Sequence, residues 1–168
     1  MTTGLLLFTL FHVALSLIGI GAGLVVLCGL LASKRLDGWT VLFLTTTIAT
    51  SVTGFLFPVR GFTPAIGVGI ISMIVLAVAC YARYGRHLAG GWRLAYVVTA
   101  VIALYLNVFV LVVQAFLKIP ALTALAPQQN EPPFAVAQGI VFVLFLVAGT
   151  RAAMRFRDVG PAAAPQVA

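Results

Sequence analysis

The stretch FLTTTIATSVTGF, residues 43–55, puts six hydroxyls among thirteen residues, with almost wholly apolar chain on either side. Its reading decides the fold because it forms most of the second of five apolar segments. Read as a helix that crosses a bilayer, it makes the number of crossings odd and sends the two termini to opposite sides. Ser and Thr suit such a helix, because each hydroxyl bonds back to the carbonyl one turn earlier and enters the membrane at little cost. At helical spacing Thr47, Ser51 and Gly54 share one face, and Thr46, Thr50 and Thr53 share the next. Together they form a small, weakly polar surface that faces either neighbouring helices or a lined pocket.

Working outward, the whole chain has the composition of a membrane protein. It is 62% hydrophobic and 8% charged over 168 residues, against about 25% charged in a soluble domain. The net charge of +7 does not indicate nucleic acid, since no basic, aromatic-interleaved face lies outside the apolar runs. The basic residues instead cluster at the ends of those runs, where they orient the chain.

The expected fold is all-α: five transmembrane helices over about 4–32, 39–57, 64–82, 92–117 and 134–150, each near the ~20 residues that a crossing requires. Nothing alternates in the ten-residue pattern of a membrane β-barrel. Lys34, Arg35, Arg83, Arg86, Arg93, Arg151, Arg155 and Arg157 fall on one side, and Arg60 and Lys118 on the other. The positive-inside rule then places the amino terminus outside and the carboxyl terminus in the cytoplasm. The first segment is read as a retained helix and not a signal peptide, because it has no basic leader and its basic flank follows it. Residues 151–168 are expected to be a basic, then disordered, cytoplasmic tail. An odd number of spans cannot be two equal repeats, which weighs against a repeat-built transporter.

The polar side chains within these segments cluster at one depth. In the first, His12, Ser16, Gly19 and Gly23 form one stripe, and the Gly pair permits close helix crossing. His12 is the one conventional acid–base side chain well inside a segment, which makes it a functional candidate. The fourth segment places Asn107 and Gln114 seven apart on one face, and the fifth carries Gln138. The expected ligand-binding set is His12, Ser16, Thr50, Ser51, Thr53, Asn107, Gln114 and Gln138, drawn from four helices in the outer half. The outer loop KIPALTALAPQQNEPP, residues 118–133, is expected to start a short helix at Pro120 and end it before Pro127. With Glu131, and Arg60 as its partner, that loop is a candidate lid.

Several chemistries lack their residues. No segment contains Asp or Glu, which argues against a carboxylate proton relay and most ion-coupled transport. His12 and His87 lie at different depths and cannot share one haem iron. Cys28 and Cys80 read as small packing residues, and no metal-site spacing, phosphate loop or nucleophile elbow is present. No catalytic residue is assigned.

The segments TSVTGFLFPVRGFTPAIGVGIIS, YVVTAVIALYLNVFVLVVQAF and PALTALAPQQNEPPF resemble those of small bacterial inner-membrane proteins of unknown function, over most of the chain up to Gly149. The resemblance implies a multi-pass inner-membrane location, with no activity, cofactor or site residue attached. From the residues, the expected function is non-enzymatic. The protein would bind a lipid-like or quinone-like molecule in an outward-facing polar pocket, as an accessory subunit, homo-oligomer or partner of another membrane protein. The alternatives are a redox protein using haem or quinone, and a small oligomeric channel or transporter.

Overall fold

The computed structural model describes residues 3–58 and 61–157. Over these residues the chain forms α1 (Thr3–Leu31), α2 (Asp37–Phe55), α3 (Pro64–Cys80), α4 (Trp92–Lys118), α5 (Pro120–Leu125) and α6 (Pro132–Arg155), with no strand among them. The local signals for the starts are plain. Pro64, Pro120 and Pro132 each stand in the first turn of a helix, where a missing N–H is harmless and φ is already helical. Thr63 caps α3 by accepting the Ile66 N–H at 3.3 Å.

Four helical stretches are long and apolar enough to cross a membrane: Thr3–Leu31, Pro64–Gly85, Trp92–Lys118 and Pro132–Arg155. α2 is a continuous helix of 19 residues but is not among the four, because its hydroxyls dilute its apolar character. The last helix is longer than the expected 134–150. Residues 151–155 are helical and not tail, since Ala152 and Phe156 are buried in the bundle and hold this end down. Residues 158–168 lie outside the described chain, and so does Arg60.

The contacts set the register. Gly23 lies against Phe43, Gly19 against Thr46 and Thr47, and Gly54 against His12, so α2 runs antiparallel to α1 along its whole length. Thr40 meets Tyr96 and Thr47 meets Asn107, so α2 and α4 run parallel. Phe55 covers Gly69, and Gly149 covers Val101, which makes α3 antiparallel to α2 and α6 antiparallel to α4. Helices α1, α3 and α6 therefore all finish at one end, called here the basic end because Lys34, Arg83 and Arg155 are there.

The core collects Phe43, Leu44, Leu76, Tyr96, Val97 and Leu104 around Ala22, Ala79, Ala100 and Ala103. Small residues let the backbones approach. A Cβ on Gly23 would lie 2.5 Å from Leu104 Cδ1 and 2.9 Å from the Phe43 ring, distances no real side chain tolerates. Helix α6 differs from the other long helices. Its one buried residue is Ala152, and Val136, Ile140, Phe142, Val143 and Leu144 are exposed.

Two features finish the basic end. The Ser33 hydroxyl donates to the Arg157 carbonyl at 3.2 Å and accepts the Arg157 N–H at 2.9 Å, tying the α1–α2 turn to the segment after α6. Beyond α3, Tyr81–Gly85 winds as a π-helical turn, in which the Arg86 N–H reaches the Tyr81 carbonyl at 2.9 Å. His87 and Leu88 then both adopt left-handed backbone, with φ of 48° and 60°. That conformation is costly for branched or bulky side chains, and burial of Leu88 offsets it.

Candidate functional site

The hydroxyls of α2 are first used by α2 itself. Thr40, Thr46, Thr50 and Thr53 each donate to the carbonyl four residues earlier, at 2.7–2.9 Å. A hydroxyl has one proton, so each oxygen is left as an acceptor. Two other helices exploit this. The Tyr96 hydroxyl donates to Thr40 at 3.4 Å, and the Asn107 amide donates to Thr47 at 3.2 Å. His12 Nδ1 lies 2.8 Å from Thr53 Oγ1. With the Thr53 proton given to Ala49, Nδ1–H of His12 is the donor to Thr53, and a neutral ring then leaves Nε2 as an acceptor. His12 is half-buried, and its ring meets Phe57 edge-on at 5.1 Å. Here it can accept one hydrogen bond through Nε2.

The expected outward pocket is not assembled from the expected residues. His12 joins Thr53, while Asn107 joins Thr47 about two turns away along α2. Thr50 is buried and bonds within its helix, and Ser16 and Ser51 are half-buried. Gln114 is exposed, not beside Asn107 on an interior face. At that level α4 has α5 and Phe134 as neighbours, and they cover Phe116. Gln138 donates to the Phe109 carbonyl at 3.2 Å, and its buried Oε1 has no protein partner. Bonds between helices thus account for four of the eight, His12, Thr53, Asn107 and Gln138.

The loop forms the short helix α5 as expected, but it packs on the end of α4. Thr123 donates to the Phe116 carbonyl at 2.7 Å and Gln129 to the Val113 carbonyl at 2.8 Å. Glu131 binds its own loop, accepting the N–H groups of Gln128 and Asn130 at 3.1 Å each. Desolvation pushes its carboxyl up, and the surrounding backbone N–H groups together outweigh that and hold it below the ordinary glutamate value. The proposed partner Arg60 lies outside the described residues. Cys28 is exposed, contrary to a packing role, and Cys80 is half-buried; both are free thiols. Among the described residues, no three His, Cys, Asp or Glu side chains gather as a metal would require.

Two other places have more of the character of a site. The first is a groove of about 390 Å³ between α4 and α6, lined by Val98, Val101, Tyr105, Phe142, Phe145 and Met154 among others. It sits toward the basic end, away from His12, and its lining is apolar except for the hydroxyls of Tyr105 and Thr150, the second of which bonds to the Leu146 carbonyl at 2.8 Å. Arg151 and Arg155, both exposed, follow the lining residues Thr150 and Met154 directly in the chain. No periodicity identifies this groove, because its walls are mostly ordinary apolar positions on two segments far apart in sequence.

The second is an ionic cluster at the basic end. The Arg83 side chain is only 4% exposed, yet it pairs with Asp37, whose side chain is 65% exposed. Arg35 reaches the same carboxylate oxygen at 3.4 Å. The Arg83 guanidinium lies 5.2 Å from the centre of the fully buried Tyr96 ring. A buried guanidinium needs such partners, because an unpaired charge is expensive away from water. The sequence does carry a signal for it: Asp37 is one of three acidic residues, placed just after a basic pair, and Arg83 sits between two tyrosines.

Comparison of the chain with family models, with curated proteins and with solved structures gave no match.

Proposed function

We propose that this protein is a five-span, non-enzymatic integral membrane protein that holds an acyl chain of an anionic phospholipid in the α4/α6 groove, with its basic end in the cytoplasm. The groove is the observation that carries the reading. It is apolar, opens on the side of the bundle, and lies where α6 carries Arg151 and Arg155. Apolar chain and phosphate are thus offered matching surfaces at one end, the pairing by which basic sites between membrane helices select anionic lipids. Long Arg side chains reach the headgroup level from a helix end.

Several observations support five crossings. α2 lies against α1 over its own whole length, and its 19 residues extend about 28 Å at 1.5 Å per residue, close to the ~30 Å of a hydrocarbon core. Its hydroxyls are satisfied internally, so its polarity is cheaper in lipid than its composition suggests. The eight-to-two division of basic residues supports the orientation. The resemblance to small bacterial inner-membrane proteins supports that location. This reading keeps the lipid-like ligand expected from the sequence and moves it from the outer half to the basic end.

Native mass spectrometry from nanodiscs of mixed phosphatidylglycerol and phosphatidylcholine tests the reading. The wild-type chain should retain phosphatidylglycerol preferentially. Val98→Trp, which fills the groove from an exposed position, should lower the retention of both lipids by the copy that the groove holds, and Arg151→Gln with Arg155→Gln should remove only the preference at the groove. Equal retention of both lipids by wild type, or retention unchanged in Val98→Trp, would overturn it. A quinone mass retained in place of lipid would make the ligand a redox partner.

A further inference from the structure

The groove leaves the most heavily charged part of the molecule unused. Lys34, Arg35 and Arg83 line one recess with Thr40 and Tyr96. Among the described residues, the carboxylate of Asp37 meets two of these cations, Arg35 and Arg83. Asp37 stands in the first turn of α2, where the helix dipole adds further positive potential.

The geometry of the pairing is lopsided. Both guanidiniums converge on one oxygen, Asp37 Oδ1. Arg83 is enclosed: it belongs to the π-helical turn Tyr81–Gly85 and lies between Tyr84 at 5.7 Å and Tyr96 at 5.2 Å. Tyr96 is itself fixed by Thr40. The carboxylate, by contrast, is mostly exposed. A nearly buried cation facing an exposed counter-ion is the arrangement of a site whose anion can be exchanged. Most of the ordering that anion binding requires is already present in the fold.

We propose that Arg83 and Arg35 form a phosphate-binding site at the basic end, and that Asp37 is its built-in competitor. The recess has a volume of about 10 Å³, room for one water and not for a phosphate. A phosphate therefore binds by replacing the carboxylate, not beside it. Asp37 swings into solvent, and the phosphate oxygens take its place on the two guanidiniums, whose planar forks match phosphate geometry. The phosphate also inherits the position at the α2 N-terminus, where backbone N–H groups favour an anion. The chemistry is that of a phosphate group, borne either by a lipid headgroup or by a free phosphate. This inference does not rest on the α4/α6 groove.

The test uses the full chain carrying Val98→Trp, so that the groove contributes nothing. Inorganic phosphate binding is measured by calorimetry in neutral detergent, and phosphatidylglycerol retention by native mass spectrometry from nanodiscs. Asp37→Asn removes the competitor and should tighten binding at least tenfold, while Arg83→Gln should abolish it. A gain with inorganic phosphate assigns a free-phosphate site, and a gain with phosphatidylglycerol alone assigns a headgroup site. Folded Asp37→Asn protein with no gain for either probe overturns the proposal, since a purely structural ion pair predicts that result. Should Asp37→Asn fail to fold, Arg35→Gln decides: Arg35 is exposed, and its loss should weaken the binding of either probe at least fivefold. Binding unchanged in Arg35→Gln overturns the site.

Discussion

A threonine in an apolar helix has two faces to its chemistry. Its proton goes to its own helix, and its oxygen stays available to another. Thr40 and Thr53 do both here, receiving Tyr96 and His12 while donating to Leu36 and Ala49. Residues 43–55 therefore carry hydroxyls for a reason beyond tolerance: α2 offers acceptors to α1 and α4 at successive depths. Each such bond is worth little, because the unfolded chain in a membrane also finds partners. In a double-mutant cycle of Thr47→Val and Asn107→Leu, measured by reversible unfolding in mixed micelles, the coupling should be about 0.6 kcal/mol and stay below ~1.7 kcal/mol. A coupling of several kcal/mol would mean that the pair does more than join two helices.

Helix pairing depends on glycine more than on hydrogen bonds. Gly23 sits where α1 crosses both α2 and α4, with Phe43 and Leu104 already at the distance a methyl group would need. Gly23→Ala should lower stability by about 1–3 kcal/mol, the usual range for overpacking a filled contact. Gly21→Ala is the control, since nothing lies within 4 Å of its added Cβ; the two variants compared in one unfolding assay separate packing from helix propensity. Equal effects would show that the α1 crossing is looser than described. The stripe of His12, Ser16, Gly19 and Gly23 was legible from spacing alone. The exposure of Gln114 was not, because a face seven residues further along α4 meets a different neighbour.

Over the whole molecule, polarity is divided by position. The interior pairs are spent between helices, and the charged groups collect at the ends, most of them at one end. That asymmetry predicts the topology directly. With Cys28 and Cys80 replaced by Ala, a membrane-impermeant maleimide applied to intact spheroplasts should label Gln128→Cys and spare Arg86→Cys. Labelling of both positions would mean an even number of crossings between them and would remove α4 from the count. The same asymmetry separates the two places with the character of a site from the pocket expected at the other end. The groove and the ionic cluster both lie toward the basic end, where α6 and the π-helical turn bring Arg side chains to the bundle.

Sequence by itself determined the helical class, the boundaries set by proline, and the grouping of cations at one end. These follow from local rules: hydropathy over a window, the missing proline N–H, and the spacing of 3.6 residues per turn. It also found the His12 and Asn107 faces, since periodicity reports which residues share a side of one helix. Only the tertiary structure decided what those sides touch. Asn107 meets Thr47 from 60 positions away, Arg83 meets Asp37 across 46, and the groove needs Val98 beside Met154. Such meetings depend on how helices are ordered and rotated in the bundle, and apolar surfaces of nearly uniform composition leave no mark of that order in the chain.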